Sequence, residues 1–468
     1  MTADAAVITA EDPRVGALPR TLLLIALVVA IASSLGSPLI TSVAITLRVS
    51  LAAAQWTLTV ALLTGAVATP VLGRLGTGPR RRPVFLGTLG VVVAGSALAV
   101  LPLPLGFLLV GRAAVGCGLA MIPLTMAAAR EHLDKDRAAS SIAMISVAST
   151  VGVGVGYPLA GYLTDVGGIR AAYGVGLALT AIAFAAALRG FPESTQAAAP
   201  APDAIASLLL AAGLLVLLIV LGEPSLLQRH LGVAGLLALL AAALLTGWVM
   251  RERRSAVPLV DLRLLRHRAV AGANAAMLVA GAGMYLLLSC ITRYVQTPQS
   301  AGYGFGLSTF EAGLFLVPFS ALGFIAGRIS PRLRKRMSAH TLLILATAVV
   351  LAAFVVFATT RANLAGPLVA MSLLGFGVGA FSAAMPTVIL AVTPAHETAG
   401  AMSVNQVVRS IGFSLGSTLS ALILAAYTTS GATFPGRQGY ASAAWIGVGV
   451  TAAALVVAVT SRARPARP

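Results

Sequence analysis

The stretches AIASLLLAAGLLVLLIVL (Ala204–Leu221) and LGVAGLLALLAAALLTGW (Leu231–Trp248) decide the structural class of this chain. Neither contains a charged side chain, and each is close to the length of about 20 residues with which a helix crosses the hydrocarbon core of a bilayer. In lipid only helices and closed barrels satisfy their backbone hydrogen bonds, and barrel strands alternate apolar and polar residues. These uninterrupted apolar stretches therefore predict membrane-spanning helices.

The composition of the whole chain agrees with these two stretches. Of its 468 residues, 58% are hydrophobic and only 10% are charged, whereas a soluble domain carries roughly a quarter charged residues. The formal net charge of +18 raises the question of nucleic acid. However, the arginines and lysines lie mostly in short segments between apolar stretches, which is typical of membrane proteins. We therefore expect a polytopic protein embedded in a lipid bilayer, with no nucleic-acid partner.

Applied along the chain, the same length rule predicts fourteen spans. They are Leu22–Leu47, Ala54–Leu72, Val84–Leu101, Phe107–Ala129, Ser140–Thr164, Ala171–Leu188, Ala204–Leu221, Leu231–Met250, Ala269–Thr292, Phe310–Ile329, Leu342–Ala358, Pro367–Val392, Ala401–Tyr427 and Ala441–Thr460. For the seventh and eighth spans, a single re-entrant hairpin is the alternative.

The distribution of basic residues predicts the orientation. With the N-terminus in the cytoplasm, the cytoplasmic side holds 24 of the 32 arginines and lysines, as the positive-inside rule requires. An even number of spans then places both termini in the cytoplasm, and we expect a multi-pass protein of the bacterial inner or plasma membrane. The basic segment Pro258–Arg268 is predicted either as a short amphipathic helix at the cytoplasmic interface or as an ordinary basic loop.

The chain contains a weak internal repeat. Three glycine-containing patterns recur in the same order at offsets of 254, 259 and 260 residues. The pairs are Gly73-Arg74-Leu75 with Gly327-Arg328-Ile329, Gly116-x-Gly118 with Gly375-x-Gly377, and Gly152-x-x-x-Gly156 with Gly412-x-x-x-Gly416. We therefore predict a six-helix bundle in 1–203, two inserted helices with the interfacial segment in 204–268, and a second six-helix bundle with a basic tail in 269–468. Such a parallel repeat is typical of rocker-switch transporters.

The repeated residues resemble motifs of the major facilitator superfamily, and specifically of its fourteen-span drug–proton antiporter branch. Gly73–Arg82 resembles the loop between helices 2 and 3, Leu108–Gly118 the helix 4 motif with a membrane arginine, and GVGVGYPLAG (Gly152–Gly161) the antiporter motif of helix 5. The resemblance implies an all-α fold of two pseudo-twofold-related bundles that rock about a central cavity. It also implies that the following residues control conformation: Gly73, Arg74, Thr77, Arg81, Gly116, Gly118, Gly152, Gly156, Pro158 and Gly161.

The chain departs from the family pattern at positions that matter for mechanism. Thr77 stands where the loop motif carries an aspartate, and Val115 stands where the helix 4 motif carries a glutamine. The first span, which usually holds an acidic residue in this branch, contains none. This chain therefore lacks the loop aspartate that locks one conformer in the family pattern, and it lacks the usual proton-binding residue of the first span.

Two arginines and three carboxylates are the candidate functional charges. Arg112 and Arg409 fall inside predicted spans, where a charge costs a few kcal/mol unless it is paired or faces water; each could instead snorkel to the nearer interface. Asp165, Glu223 and Glu311 lie at predicted outer ends of spans, as solvated interfacial residues or as proton sites. Asp165 is the strongest proton-site candidate because it shares the side and the half of Arg112.

Substrate contacts are expected from polar and aromatic residues on the cavity-lining helices that the resemblance implies. The candidates are Gln55, Trp56, Tyr157, Asn274, Tyr285, Phe319, Met385, Asn405 and Gln406. Asn405 and Gln406 are favoured, because an amide within a span requires a partner or a wet cavity. The small number of charges in such a cavity favours a small lipophilic or weakly cationic substrate.

No motif in the sequence indicates an enzyme. The five histidines show no metal-ligand spacing, and no glycine-rich phosphate loop is present, so we expect no metal, no cofactor and no ATP-driven motor. The leading hypothesis is a monomeric transporter that exports drugs, antibiotics or metabolites in exchange for protons. The alternatives are a dedicated exporter of one metabolite or lipid without proton coupling, and a non-transporting membrane sensor or scaffold.

Overall fold

The computed structural model describes residues 13–36, 38–49, 51–194, 196, 203–223, 226, 230–255, 258–260, 262–429 and 434–460, and within these ranges it is all-helical, with seventeen α-helices and no strand. The helices are α1 Pro13–Ser34, α2 Ile40–Leu47, α3 Leu51–Leu75, α4 Arg81–Val100, α5 Leu105–Gly116, α6 Met121–His132, α7 Lys135–Gly190, α8 Ala204–Gly222, α9 Leu231–Glu252, α10 Leu262–Arg266, α11 Arg268–Gln296, α12 Thr309–Leu314, α13 Leu316–Leu333, α14 Ala339–Thr360, α15 Ala365–Leu390, α16 Thr398–Ala426 and α17 Arg437–Thr460.

Twelve helical stretches in the described ranges are long and apolar enough to cross a membrane. The single turn of 3₁₀ helix Cys117–Ala120 joins α5 to α6 in one of these stretches, Leu105–His132. The chain is therefore a polytopic helical membrane protein. The predicted linker Ser194–Asp203 falls mostly, and the basic tail after residue 460 entirely, outside the described residues.

The first predicted span, Leu22–Leu47, is not one helix, and the prediction of a continuous span is wrong. Helix α1 ends at Ser34 and α2 begins at Ile40. Pro38 has no backbone N–H to continue the α1 ladder, and Gly36 weakens the helix just before it. The apolar part of α1, Leu18–Ser34, is consequently too short to count among the twelve.

Helix α7 is 56 residues long, which corresponds to about 84 Å if straight and exceeds the thickness of a bilayer. Its backbone leaves the helical conformation at Gly167 (φ −144°, ψ 17°) and Gly168 (φ 69°, ψ −172°). The conformation of Gly168 is essentially restricted to glycine. The two predicted spans Ser140–Thr164 and Ala171–Leu188 lie on either side of this break.

The helices before and after the inserted pair α8 and α9 pack in the same pattern. In the N-terminal set (α1–α7), α1 packs on α7 and α4 packs on α5 and α7; in the C-terminal set (α11–α17), α11 packs on α16 and α14 packs on α15 and α17. Gly152 allows α7 to approach α1, since a Cβ there would meet the Ala30 Cβ at 2.5 Å. Gly412 does the same for α16 and α11, with the Leu278 carbonyl at 2.6 Å. Small residues at both crossings bring the backbones together, as in other membrane bundles.

Several helix pairs join the N-terminal set to the C-terminal set: α7 packs on α12, α13 and α15, and α3 and α6 pack on α16. Helix α7 packs on α13, where the Ser320 hydroxyl donates to the Thr150 carbonyl at 2.7 Å. Helix α3 packs on α16, and Gly73 at the end of α3 lies directly against the Ser403 side chain. Both contacts belong to the interface between the sets.

The inserted helices α8 and α9 pack on each other, and α8 also packs on α3 and α16. The Asp203 carboxylate caps α8 and accepts from Arg251 Nε at 2.7 Å, and this hydrogen bond lowers the pKa of Asp203. The Glu252 carboxylate accepts from the Val260 backbone N–H at 2.6 Å. Of the predicted amphipathic segment Pro258–Arg268, only Leu262–Arg266 is a separate helix.

Because Gly168 has open space around its α-carbon, its replacement tests the backbone conformation alone. We expect Gly168→Ala to lower the melting temperature of the detergent-solubilised protein, since strain of this kind costs roughly 1–3 kcal/mol. Gly174→Ala is the matched control: Gly174 lies in the same helix, also with nothing close to it, so alanine there raises helix propensity by up to about 1 kcal/mol. Equal melting temperatures for the two variants would contradict the break at Gly167–Gly168.

Candidate functional site

Arg112 of α5 is 1% exposed and binds the broken first helix. Its Nη1 donates to the Ala32 carbonyl at 3.1 Å and its Nη2 to the Ser33 carbonyl at 3.0 Å, both in the last turn of α1. Its Nε donates to the Thr57 carbonyl of α3 at 3.2 Å. The last carbonyls of a helix have no partner within the helix, so Arg112 caps the C-terminus of α1 and ties it to α3. A cation is also favoured there by the helix dipole.

A small cavity adjoins the Arg112 guanidinium. It has a volume of about 10 Å³, close to the space that one water requires, and is lined by residues from α1, α4, α5 and α7. The Tyr173 ring centroid lies 6.0 Å from the Arg112 Cζ, and the Tyr173 hydroxyl is buried with no hydrogen-bond partner within the described ranges.

None of the three candidate proton carboxylates forms an ion pair with Arg112 within the described residues. Asp165 is exposed near the α7 break. Glu311 is exposed and forms a capping box with Ser308 at the start of α12. Glu223 follows the last residue of α8 and is half-buried.

A second polar cluster lies on α16. The Asn405 amide donates to the Asn274 side-chain oxygen of α11 at 3.0 Å. Arg409 is 7% exposed, and its Nη2 donates to Gln406 Oε1 at 2.6 Å. Its Cζ lies 5.7 Å from the ring centroid of Phe413. We refer to Asn274, Asn405, Gln406, Arg409 and Phe413 as the α16 cluster.

Of the other substrate candidates, one adjoins this cluster. The Tyr285 ring centroid lies 5.4 Å from that of Phe413, and Tyr157 of α7 packs in the same group of side chains. Phe319 and Met385 are fully buried in helix packing. Gln55 and Trp56 are exposed near the start of α3. The predicted set therefore separates: Asn274, Asn405 and Gln406 belong to the α16 cluster, Tyr285, Tyr157 and Phe319 share the adjoining apolar group, and Gln55, Trp56 and Met385 lie in neither.

One end of the bundle is closed by contacts between the two sets of helices. Arg74 Nη1 at the end of α3 lies 3.1 Å from Glu397 Oε1 at the start of α16. Both side chains are largely buried, at 10% and 19% exposure, so this ion pair is less screened than one at an open surface. We call this pair the latch, and this end of the bundle the latch end.

Arg130 of α6 reinforces the closure at the latch end. Its Nη1 donates to the Thr398 hydroxyl at 3.0 Å, and its Nη2 donates to the carbonyls of Leu390 at 3.1 Å and Thr393 at 2.7 Å. All three acceptors belong to the C-terminal set. An arginine of the N-terminal set thus holds the facing ends of α15 and α16.

A further network braces the N-terminal set itself at this end. The Arg81 side chain is 1% exposed and forms an ion pair with Glu131. The Ser194 hydroxyl donates to the same carboxylate at 2.9 Å. Thr77, which occupies the motif position of an aspartate, donates its hydroxyl to the Arg74 carbonyl at 2.9 Å. Thr77 therefore shapes the loop, while the ion pair across the interface is made by Arg74.

Comparison with known proteins agrees with this architecture. The model of the Major Facilitator Superfamily matches residues 22–417. The chain belongs to the major facilitator superfamily. It is a membrane transporter and not an enzyme, and its bacterial relatives support a location in the plasma membrane.

Relatives of this major facilitator chain include two proteins of Mycobacterium tuberculosis. The multidrug resistance protein B homolog is 25% identical over 388 residues, which cover 80% of this chain and 69% of the relative. The drug efflux pump JefA is 28% identical over 369 residues, covering 76% and 69% respectively. The crystal structure of the human organic anion transporter MFSD10 (TETRAN) has the same fold, with a TM-score of 0.67, 14% identity, and coverage of 95% of this chain and 99% of that chain.

Sequence reasoning missed Glu397 and Arg130 at the latch end of this major facilitator chain. A usable signal existed for Glu397, because it is the one acidic residue between the predicted twelfth and thirteenth spans. Its partner Arg74 lies 323 positions earlier, and no local pattern links the two. For Arg130, nothing in the sequence distinguishes it from the other arginines at span ends.

The cap that Arg112 places on α1 predicts the result of a conservative replacement. We expect Arg112→Lys to lower the melting temperature and to abolish dye efflux, because one ammonium cannot reach three carbonyls on two helices as a guanidinium does. Arg437→Lys, at an exposed arginine, is the control and should match the parent. If Arg112→Lys also matches the parent in both measurements, the three hydrogen bonds are not required.

Proposed function

We propose that this chain is a secondary active transporter that exports small lipophilic molecules by alternating access, in exchange for protons. The observation that carries the proposal is the polar closure at the latch end, where Arg74 and Arg130 join the two sets of helices. Ion pairs and hydrogen bonds between separate helix sets can break and re-form, whereas a static scaffold needs no such contact. The names of the relatives, a multidrug resistance protein and a drug efflux pump, support export of drug-like molecules.

The membrane topology that we propose has fourteen spans. Twelve helical stretches qualify by length and composition; α7 supplies two spans because it breaks at Gly167–Gly168, and α1 with α2 supplies a broken first span. The proposed domains are 1–203, 204–268 and 269–468, with the transported molecule held between the first and the last. The repeated packing of α1 on α7 and of α11 on α16 supports this division. We propose that the transporter acts as a monomer.

We propose that the latch end faces the cytoplasm and that both termini lie there. This end carries the arginine-rich segments that follow α3, α9 and α13, as the positive-inside rule requires. The conformation is then one closed to the cytoplasm.

For the exchange of protons, we propose Asp165 as the residue that binds and releases the proton. Glu311 and Glu223 are the other candidates. The exposure of Asp165 and the lack of an ion pair with Arg112 within the described residues favour the second candidate function, export of one metabolite or lipid without proton coupling. The absence of an acidic residue from the first predicted span favours the same alternative.

Flux into proteoliposomes under an imposed pH gradient separates these two functions. A gradient of one unit stores about 1.4 kcal/mol per proton, enough for roughly tenfold accumulation of substrate. If protons are exchanged, a panel of lipophilic dyes should show accumulation that collapses with a protonophore, and Asp165→Asn should abolish it while sparing downhill exchange. Transport that ignores the pH gradient would favour the uncoupled exporter, and no transport of any dye would contradict the proposed function.

The latch can be tested independently of the substrate. Ser403 is fully buried beside Gly73 at the interface of the two sets, so Ser403→Cys reports opening at the latch end. In a background lacking Cys117 and Cys290, we expect Glu397→Gln to increase the rate of thiol labelling at this position several-fold. The charge-swapped pair Arg74→Glu with Glu397→Arg should return it toward the parent rate. Glu193→Gln, which removes an exposed ion pair with Arg82 within the N-terminal set, is the control and should leave the rate unchanged.

A further inference from the structure

The interior of the membrane domain carries positive charge only. By the span boundaries predicted from the sequence, Glu311 is the single acidic residue within a span, and it is the second residue of that span. Arg112 and Arg409 both lie well inside spans. The sign of the charge in the middle of the membrane is therefore fixed by two arginines.

These two arginines differ in what accepts their hydrogen bonds. Arg112 donates to three backbone carbonyls, which belong to helices and cannot turn away. Arg409 donates to the side-chain amide of Gln406 at 2.6 Å. An amide side chain can rotate, so the contact between Gln406 and Arg409 can be exchanged for a contact with a bound molecule. Arg112 is thus held by fixed backbone groups, whereas Arg409 has among its contacts a side-chain partner that a ligand can replace.

Arg409 lies on a stripe of α16 whose packed neighbours come from both helix sets. Met402, Gln406, Arg409 and Phe413 are spaced by four, three and four residues, which places them on this one stripe. Met402 belongs to a packed group with residues of α1, α6 and α11, and Phe413 contacts Tyr285 of α11 in a group that also includes Tyr157 of α7. Arg409 is also near the middle of the 29-residue helix α16, and thus at the level where rocker-switch transporters hold their substrates.

From this arrangement we infer that the transported molecule is an amphiphilic organic anion whose anionic group binds Arg409. The inference rests on the proposed transport function and names its substrate class. A guanidinium binds a carboxylate, sulfonate or phosphate through two parallel hydrogen bonds. Gln406 can turn from accepting from Arg409 to donating its amide N–H to the same group, and the rings of Phe413 and Tyr285 offer an aromatic surface for the apolar part.

The sign of the substrate charge also bears on the driving force. A bacterial membrane is negative inside, so export of an anion is favoured by the membrane potential, by about 50-fold in concentration per 100 mV for one charge. Such export needs no carboxylate in the membrane interior. The positive cluster therefore favours an anion over the weakly cationic substrate that the composition of the spans first indicated.

Two xanthene dyes of similar shape and opposite charge test the substrate class. At pH 8 fluorescein is an anion and rhodamine 123 is a cation, and the binding of each to the purified full chain in detergent can be measured by fluorescence polarisation. We expect the parent to bind fluorescein at least tenfold more tightly than rhodamine 123. Arg409→Gln should weaken fluorescein binding at least tenfold and rhodamine 123 binding less than threefold, with Arg409→Lys in between for fluorescein.

Control variants distinguish the loss of the anion site from misfolding of the whole protein. Arg437→Gln, at an exposed arginine that begins α17 after the end of α16, should bind both dyes as the parent does. If Arg409→Gln does not yield folded protein, Arg409→Lys and Gln406→Leu carry the test, each with an expected loss of fluorescein binding at least threefold greater than the loss for rhodamine 123.

The remaining outcomes distinguish this inference from the proposed function. Tighter binding of rhodamine 123, or fluorescein binding that is indifferent to Arg409, overturns the anion site; if dye flux in vesicles persists, the transporter proposal stands without it. Arg409-dependent fluorescein binding with no flux of any dye supports the anion site and contradicts the transport function. If neither dye binds or moves, both are overturned.

Discussion

Backbone groups find no water inside a bilayer, and every polar group of a broken helix there must be satisfied by protein. The first helix of this chain ends at Ser34, and α2 begins only at Ile40; the final carbonyls of a helix that ends in this way have no further helical N–H to accept from. Arg112 resolves this by donating to Ala32 and Ser33, and its third hydrogen bond fixes the same guanidinium to α3. A charge that would be costly in lipid is thereby stabilised by the carbonyls that need a donor, so the broken helix and the buried arginine depend on one another.

The same reasoning explains what replaces the missing aspartate in the loop after α3. In the family motif, as resemblance implies it, a carboxylate at the position of Thr77 meets the N-terminus of a helix and locks one conformer. Here the carboxylate is Glu397, immediately before α16, and the cation is Arg74 at the end of α3. An attraction between the two sets of helices is therefore made by a pair that does not involve the position of Thr77. Arg130 adds hydrogen bonds to the facing ends of α15 and α16, so closure does not depend on a single pair.

Much of the fold could be predicted from the sequence where a helix is continuous and uniformly apolar. Predicted Ala204–Leu221 and Leu231–Met250 are close to the observed Ala204–Gly222 and Leu231–Glu252, because long apolar runs have one stable form in lipid. The break in the first span escaped prediction, since average hydropathy takes no account of hydrogen bonding. The signal was present in Gly36 and Pro38, which interrupt an otherwise apolar run.

The candidate site was harder to predict because its contacts join distant parts of the chain. Asn405 and Gln406 could be selected, since an amide in a span needs a partner, and Asn274 proved to be that partner for Asn405. The latch could not be found this way, because Arg74 and Glu397 are each ordinary charged residues at span ends until the fold brings them together.

The two internal arginines also define what an empty carrier must do to complete its cycle. A carrier that holds a cation at mid-membrane must return without substrate, and an unsatisfied guanidinium would oppose that return. The Gln406 amide, 2.6 Å from Arg409 in this conformation, can accept from it when no anion is bound, and the face of Phe413 adds a cation–π contact at 5.7 Å. A bound anion takes the place of the neutral Gln406 amide as the acceptor from Arg409. The hydrogen bond of Arg409 is then stronger in the bound state, because its acceptor is charged, and the empty state keeps the weaker bond to Gln406. In the anion site that we propose, selectivity for an anion and return of the empty carrier both depend on Arg409 and Gln406.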